Sequence, residues 1–103
     1  MESGKIKLNL PEIAENGLAV PISFEVESPM TPDNYVKSLH VLSEGNPFPT
    51  VFTYHFTPGA GRAAGSNKIR LGKSQNIVAV AEMSDGTLYT AKSFIKVTIG
   101  GCG

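Results

Sequence analysis

The chain has 103 residues, of which 41% are hydrophobic and 17% charged, and this size suits one domain with a modest core. Its basic and acidic residues balance at 9 each, which excludes a strongly basic face for nucleic acid and a polybasic cluster for a lipid surface. The longest apolar run, residues 77–81, is too short to cross a membrane. No apolar stretch follows Met1, so we expect either a cytosolic chain or the mature form of an exported one.

Patterns with the period of a β-strand recur along the chain, and patterns with the period of a helix are almost absent. Ile6, Leu8 and Leu10 alternate with polar residues and predict a first strand that ends at Pro11. The next alternation, over residues 20–26, predicts a half-buried strand with one face for the core and one for water. Further strands are predicted over residues 35–43, 50–56, 67–71, 76–83 and 88–99. Helical turns are predicted at residues 11–15 and 31–33.

The strands over 35–43 and 76–83 carry apolar residues on both faces, which predicts central positions in a sheet. About seven strands joined by turns rich in glycine, proline and asparagine predict an all-β, immunoglobulin-like antiparallel sandwich, although periodicity alone leaves a small barrel open. The core of antibody domains is missing, because the chain has no tryptophan and one cysteine.

A glycine-rich stretch and the two histidines resemble known kinds of chemical site, but each has a simpler explanation. Gly59, Gly61 and Gly65 are spaced almost as in a phosphate-binding loop, but a strand rather than a helix follows, so we predict a glycine-rich hairpin loop over residues 58–65. His40 and His55 are mid-strand and lack a second cysteine or a carboxylate at ligand spacing, which makes a weak metal signal. The carboxylates are scattered, and we therefore expect no metal, no cofactor and no acid–base pair.

Apolar residues are more numerous than one inner core needs. The two strands that are apolar on both faces, together with Phe48, Tyr89 and Phe94, predict an outward apolar surface that meets a partner sheet or a second copy.

The C-terminal residues Gly100, Gly101, Cys102 and Gly103 hold the single thiol of the chain. Glycine lacks a side chain and tolerates conformations that other residues avoid, so we predict a domain over residues 1–99 and a flexible arm over residues 100–103. Three residues at roughly 3.3–3.6 Å each would let the thiol sweep about 10 Å from the last strand. Such a thiol is poorly held for catalysis, because catalytic groups need tight positioning.

Several functions are compatible with this arm. It could be a covalent handle that enters the active sites of other enzymes, or a frayed terminus with an incidental cysteine. It could link a secreted immunoglobulin-like adaptor to a partner through an intermolecular disulfide. A thiol enzyme that pairs Cys102 with His40 or His55 is a further alternative.

The segment Ile95-Lys96-Val97-Thr98-Ile99-Gly100-Gly101-Cys102-Gly103 closely resembles the C-terminus of the SoxY family, the sulfur carriers of bacterial thiosulfate oxidation. Residues 10–17, with Val20-Pro21-Ile22 after them, are similar to an early segment of that family. The resemblance extends over essentially the whole chain, and the tail is its specific part.

This resemblance implies an immunoglobulin-like fold that pairs with a SoxZ-like subunit, and a carrier that is not itself an enzyme. Cys102 would hold sulfur covalently and the neighbouring glycines would give it reach. A SoxXA cytochrome would couple thiosulfate to the thiol, a SoxB hydrolase would release sulfate, and a sulfane dehydrogenase would act where present. The family works in the periplasm. Without its partner, the chain would form homo-oligomers or a Cys102 disulfide dimer.

Two features depart from the family pattern. The family tail ends in two glycines after the cysteine, whereas this sequence has only Gly103 there, which we attribute to a missing last residue. The export signal of the family is also absent, as expected for a mature form.

Overall fold

The computed structural model describes residues 5–15, 19–45 and 50–98. Their strands form two sheets that pack face to face, as predicted for a sandwich. Where described, the chain forms strands β1 (Ile6–Asn9), β2 (Ile13–Ala14), β3 (Val20–Val26), β4 (Val36–Ser43), β5 (Thr50–His55), β6 (Ala63–Ile69), β7 (Gln75–Met83) and β8 (Leu88–Val97). No helix among these residues is long and apolar enough to span a membrane.

The smaller sheet has the strand order β1-β3-β6, and the larger one has the order β2-β8-β7-β4-β5. All pairs are antiparallel except β2 with β8. The strands predicted to be central, β4 and β7, lie inside the larger sheet, and their inward residues Leu39, Val41, Ile77 and Ala79 are fully buried. The core therefore forms because alternate apolar residues of both sheets meet between them.

An aromatic cluster closes the side of the sandwich between β3 and β5. Phe24 is buried on the smaller sheet, and its ring lies 5.0 Å from that of Tyr54 and 6.3 Å from that of Phe56, measured between centroids. Phe52 joins the same cluster, 5.2 Å from Tyr54. Phe52, Tyr54 and Phe56 therefore lie on one face, and that face packs against the smaller sheet.

A tight turn joins β7 and β8 in a hairpin. Met83 donates its N–H to the carbonyl of Thr87 over 2.9 Å, and Gly86 adopts a φ of 89° that favours glycine.

Both predicted helical turns are wrong. Residues 13–14 form β2, which pairs in parallel with Lys96 and Val97 of β8. Backbone hydrogen bonds from Lys96 and Thr98, more than eighty residues away, override the local preference that Pro11 gives for a helix start. Thr31 and Asn34 instead close a tight turn, in which each donates its N–H to the other's carbonyl over 3.0 Å.

The glycine-rich loop is shorter than predicted. A single 3₁₀ turn spans Pro58–Ala60, and β6 begins at Ala63 rather than at Asn67. Gly65 therefore lies within a strand, where its missing side chain makes room for the rings of Phe24 and Tyr54. Ile69 and Leu71 are buried.

Candidate functional site

The predicted attachment residue and its glycines, Gly100, Gly101, Cys102 and Gly103, lie outside the described residues. The boundary predicted at residue 99 lies outside them as well. What the structure describes is the strand from which this arm leaves, the end of β8, and the segments that hold it.

The end of β8 is bound on both sides. On one side, Lys96 donates its N–H to the carbonyl of Glu12 over 3.0 Å, and Thr98 donates to that of Ala14 over 2.9 Å. On the other, Val97 donates its N–H to the Ser74 hydroxyl oxygen over 2.8 Å. The strand is thus fixed up to Thr98, and the arm begins from a defined position.

Ser74 is itself held by its loop. The neighbouring Gln75 is buried, accepts a hydrogen bond from the hydroxyl of Ser43, and donates its amide N–H to the carbonyl of Lys73 over 2.9 Å. Sequence reasoning missed Ser74 and β2 as supports of the arm. A serine directly before a strand was the only signal, since such hydroxyls commonly bond nearby backbone groups.

His40 is part of a polar network on the outer face of the larger sheet. One ring nitrogen lies 3.1 Å from the Ser38 hydroxyl, and the other lies 3.0 Å from that of Thr53. Ser38 also donates to Glu82 over 3.4 Å. A serine nucleophile needs a histidine whose far nitrogen meets a carboxylate, but here that nitrogen meets Thr53.

This network is too far from the arm to act on its thiol. His40 is aligned with Val80 on β7, and Val80 with Thr90 on β8. Thr90 and Thr98 are separated along β8 by about 26 Å at the usual strand rise, whereas the residues from Thr98 to Cys102 span at most about 14 Å. His55 is aligned with Ser38 and lies farther still. The geometry therefore argues against a thiol enzyme that uses either histidine of its own chain.

The outer face of the larger sheet carries exposed apolar side chains, as the sequence predicted, among polar ones such as Lys92 and Glu82. Its exposed side chains include Phe94, Ile13 and Leu88, with 59%, 57% and 37% of their surface accessible. Cross-strand register places half-buried neighbours beside them on the same face. We call this set the apolar face: Ile13, Leu42, Val78, Val80, Leu88 and Phe94.

The outer face of the smaller sheet differs in character. Its outward positions carry lysine, asparagine, serine and glutamate side chains, and Arg62 pairs there with Glu25 over 2.8 Å. The outer side of the smaller sheet is thus polar, whereas that of the larger sheet carries the apolar face beside the polar network around His40. Within the described ranges, no cluster of three or more histidine, aspartate or glutamate residues could hold a metal ion. Tyr89, which the sequence also assigned to the outward surface, is half-buried on the inner face of β8, and Phe48 lies outside the described residues.

The fold and the arm define a class, an immunoglobulin-like sandwich whose last strand leads to a terminal thiol. The family model described as "Sulfur oxidation protein SoxY" matches residues 1–102. The chain therefore belongs to the SoxY family.

Solved structures give the same result for the fold. The chain resembles the sulfur carrier protein SoxY from Chlorobium limicola f thiosulfatophilum at 31% identity, with a TM-score of 0.80 over 96% of this chain and 84% of that one. A superoxide reductase (neelaredoxin) variant from Ignicoccus hospitalis matches at 21% identity, with a TM-score of 0.81 over 90% and 79%. A putative superoxide reductase from Thermotoga maritima matches at 19%, with a TM-score of 0.76 over 93% and 86%. No curated protein matches the sequence significantly.

Proposed function

We propose that this chain is a sulfur carrier in thiosulfate oxidation and that Cys102 is the attachment residue. The observation that carries the proposal is the family match, which runs through Cys102. The fixed end of β8 supports it, since an arm that begins at a defined place presents its cargo within a limited volume. Gly100, Gly101 and Gly103 then give reach and clearance.

The loading step is an oxidation. The Cys102 thiol loses its proton, its sulfur forms a bond to the sulfane sulfur of thiosulfate, and an electron pair passes to a cytochrome of the SoxXA type. A hydrolase of the SoxB type then adds water across the terminal S–S bond, releases sulfate and leaves a persulfide on Cys102. A sulfane dehydrogenase would oxidise that persulfide where it is present. The carrier supplies the thiol and its partners supply the chemistry, in the periplasm.

A SoxZ-like subunit is the proposed stable partner, and the apolar face is where it would dock. Sheet faces of soluble domains usually carry polar residues outward, so a face with Phe94, Ile13 and Leu88 exposed favours a covering chain.

Intact-mass analysis tests the carrier function. After incubation with thiosulfate and the coupling cytochrome, the chain should gain the mass of one thiosulfate unit less the thiol hydrogen, and the Cys102→Ser variant should gain nothing. Sulfur on that variant would overturn the assignment of Cys102. An activity that requires a disulfide-linked form and disappears with reductant would favour the adaptor alternative instead.

A further inference from the structure

His40 lies at the boundary between the apolar face and a polar network on the same side of the larger sheet. On β4 it is followed on that side by Leu42, and across the sheet it is aligned with Val80 of β7. Both neighbours belong to the apolar face, and His40 is itself half-buried. A chain that covers Leu42 and Val80 also covers the imidazole ring, because aligned residues on one face of a sheet lie only about 5 Å apart.

The hydrogen bonds around this ring suit its neutral form. One ring nitrogen lies 3.1 Å from the hydroxyl of Ser38, which is buried and donates to Glu82, so we assign the ring proton to this nitrogen. The other nitrogen is then an acceptor, and it takes the hydroxyl proton of Thr53 over 3.0 Å. Every group from Thr53 through to Glu82 thus has a partner while the imidazole is uncharged.

A second proton on the ring disturbs this arrangement when another chain covers the face. With both ring nitrogens protonated, the Thr53 hydroxyl has to turn, and its own proton needs a new acceptor. Water supplies that acceptor in the free chain, whereas an apolar surface does not. The same surface removes water from the positive charge, and burying a charge is costly unless an opposite charge pairs with it directly.

The charged groups around the ring provide no such direct pair. The titratable side chains that surround His40 along β4 and on the adjoining strands are Lys37 of β4, His55 of β5, Glu82 of β7, and Lys92 of β8 with its partner Glu44. Among these described residues Glu82 alone joins the network, and the Ser38 hydroxyl stands between it and the ring, in a bond to the carboxylate of 3.4 Å. Lys92 has the same sign as a protonated ring, and its pairing with Glu44 over 3.7 Å leaves that carboxylate engaged elsewhere.

We propose that His40 makes the docking of the SoxZ-like subunit sensitive to acid, so that the subunit binds tightly while the ring is neutral and more weakly when the ring is protonated. The inference rests on the proposed function, which assigns that subunit to the apolar face. Both proposed steps at Cys102 release a proton, because loading removes the thiol proton and hydrolysis yields sulfate and H⁺. Acid that accumulates during turnover therefore weakens the assembly that produces it.

Calorimetric titration with the SoxZ-like subunit at pH about 7.5 and about 5.5 tests the proposal, because an ordinary histidine changes charge across that range. The affinity of wild type should fall several-fold at the lower pH. His40→Gln keeps a donor and an acceptor but takes up no proton, so most of this fall should disappear. His55→Gln is the matched control, since it removes the exposed histidine on β5 and should behave as wild type does. Urea midpoints at both pH values check that each variant is folded.

Glu82→Gln separates the imidazole from the carboxylate. When the imidazole is the group that titrates, the fall in affinity should be larger in this variant, because the positive charge loses its nearest anion. Loss of the pH dependence in Glu82→Gln would overturn the proposal, as would equal pH dependence in wild type and His40→Gln. Absence of binding at both pH values would overturn the docking of this subunit together with the role of His40. Loading of Cys102, measured by intact mass on the isolated chain, tests the carrier function separately from all of these results.

Discussion

At Gly65 the backbone of β6 passes directly beneath two aromatic rings. A Cβ at this position would lie 2.8 Å from a Tyr54 ring carbon and 2.9 Å from one of Phe24, which is shorter than any normal contact. Phe24 is buried and cannot move aside without disturbing the core.

Gly65→Ala should therefore destabilise the protein by about 1–3 kcal/mol, the usual cost of overpacking. Urea denaturation measures the change. Gly72→Ala is the matched control, because a Cβ there meets nothing within 4 Å and its φ is not positive. Equal urea midpoints for the two variants would show that the rings of the aromatic cluster move aside without loss of stability.

Gly65 also shows where sequence reasoning stopped. The strands β1, β3, β5 and the end of β8 could be predicted because apolar and polar residues alternate along them. In such a pattern the apolar side chains face the core. Glycine has no side chain and adds nothing to this pattern, so the sequence predicted a loop for the glycine-rich stretch. That Gly65 is a strand residue depends on rings contributed by two other strands, which periodicity does not reveal.

Asp85 links stability to pH through the β7–β8 turn. Its carboxylate accepts the Thr87 N–H over 2.8 Å, and this bond, with a second from the Thr87 hydroxyl, holds the pKa of Asp85 below its usual value. A carboxyl whose pKa is lowered by folding stabilises the protein above its unfolded-state pKa of about 3.9, and this contribution is lost as the pH falls through the folded-state pKa.

Wild type should therefore have a higher free energy of unfolding than Asp85→Asn at pH about 7. The difference between the two proteins should narrow as the pH falls through the pKa of Asp85. Urea midpoints measured along a pH series test this. Asp33→Asn removes the same charge from another exposed turn and controls for net charge. A gap independent of pH would show that the carboxylate charge has no part in the turn.

Among the elements, β8 connects the core to the arm. Ile95 is fully buried, and the three residues that follow it bond to Glu12, Ser74 and Ala14 in turn. The parallel pairing of β2 with this end could not be predicted, because two residues carry no periodicity and their partner is at the far end of the chain.

Ser74→Ala should loosen the end of β8. The Val97 N–H loses its acceptor, and a half-buried donor left without a partner costs roughly 1–3 kcal/mol. Hydrogen exchange at Val97 should become faster, whereas exchange at Val78 on β7 should change little. Ser93→Ala, on β8 itself, is the control, since the Ser93 hydroxyl has no described hydrogen bond. Unchanged exchange at Val97 would mean that β2 alone fixes the strand.

A stiffer residue in place of Gly101 should restrict the movement of the arm. Gly101→Val introduces a β-branched residue with restricted rotamers and backbone, which should slow loading of Cys102 while leaving the urea midpoint unchanged. Loading rates from intact mass at fixed cytochrome concentration measure the effect. Rates equal to wild type would argue that reach through glycine is not needed.

At the scale of the whole molecule, the outer faces of the two sheets differ in their side chains. The smaller sheet carries polar side chains outward, and the larger sheet carries the apolar face, which we propose as the docking surface of a partner subunit. A partner on the apolar face would leave the outer side of the smaller sheet uncovered, because the two faces belong to different sheets. The sequence predicted an apolar surplus, but only the cross-strand register places it on one face.

Phe94→Glu tests the assignment of that face. Phe94 is 59% exposed on β8, so its replacement should cost little stability in the isolated chain. Burying a carboxylate against an apolar partner is costly unless the charge is paired, so binding to a SoxZ-like subunit should weaken by tenfold or more, about 1.4 kcal/mol. Calorimetric titration measures the affinity, and Lys7→Glu, on the polar face of the other sheet, should bind as wild type does. If Lys7→Glu weakened binding and Phe94→Glu did not, the partner would cover the smaller sheet.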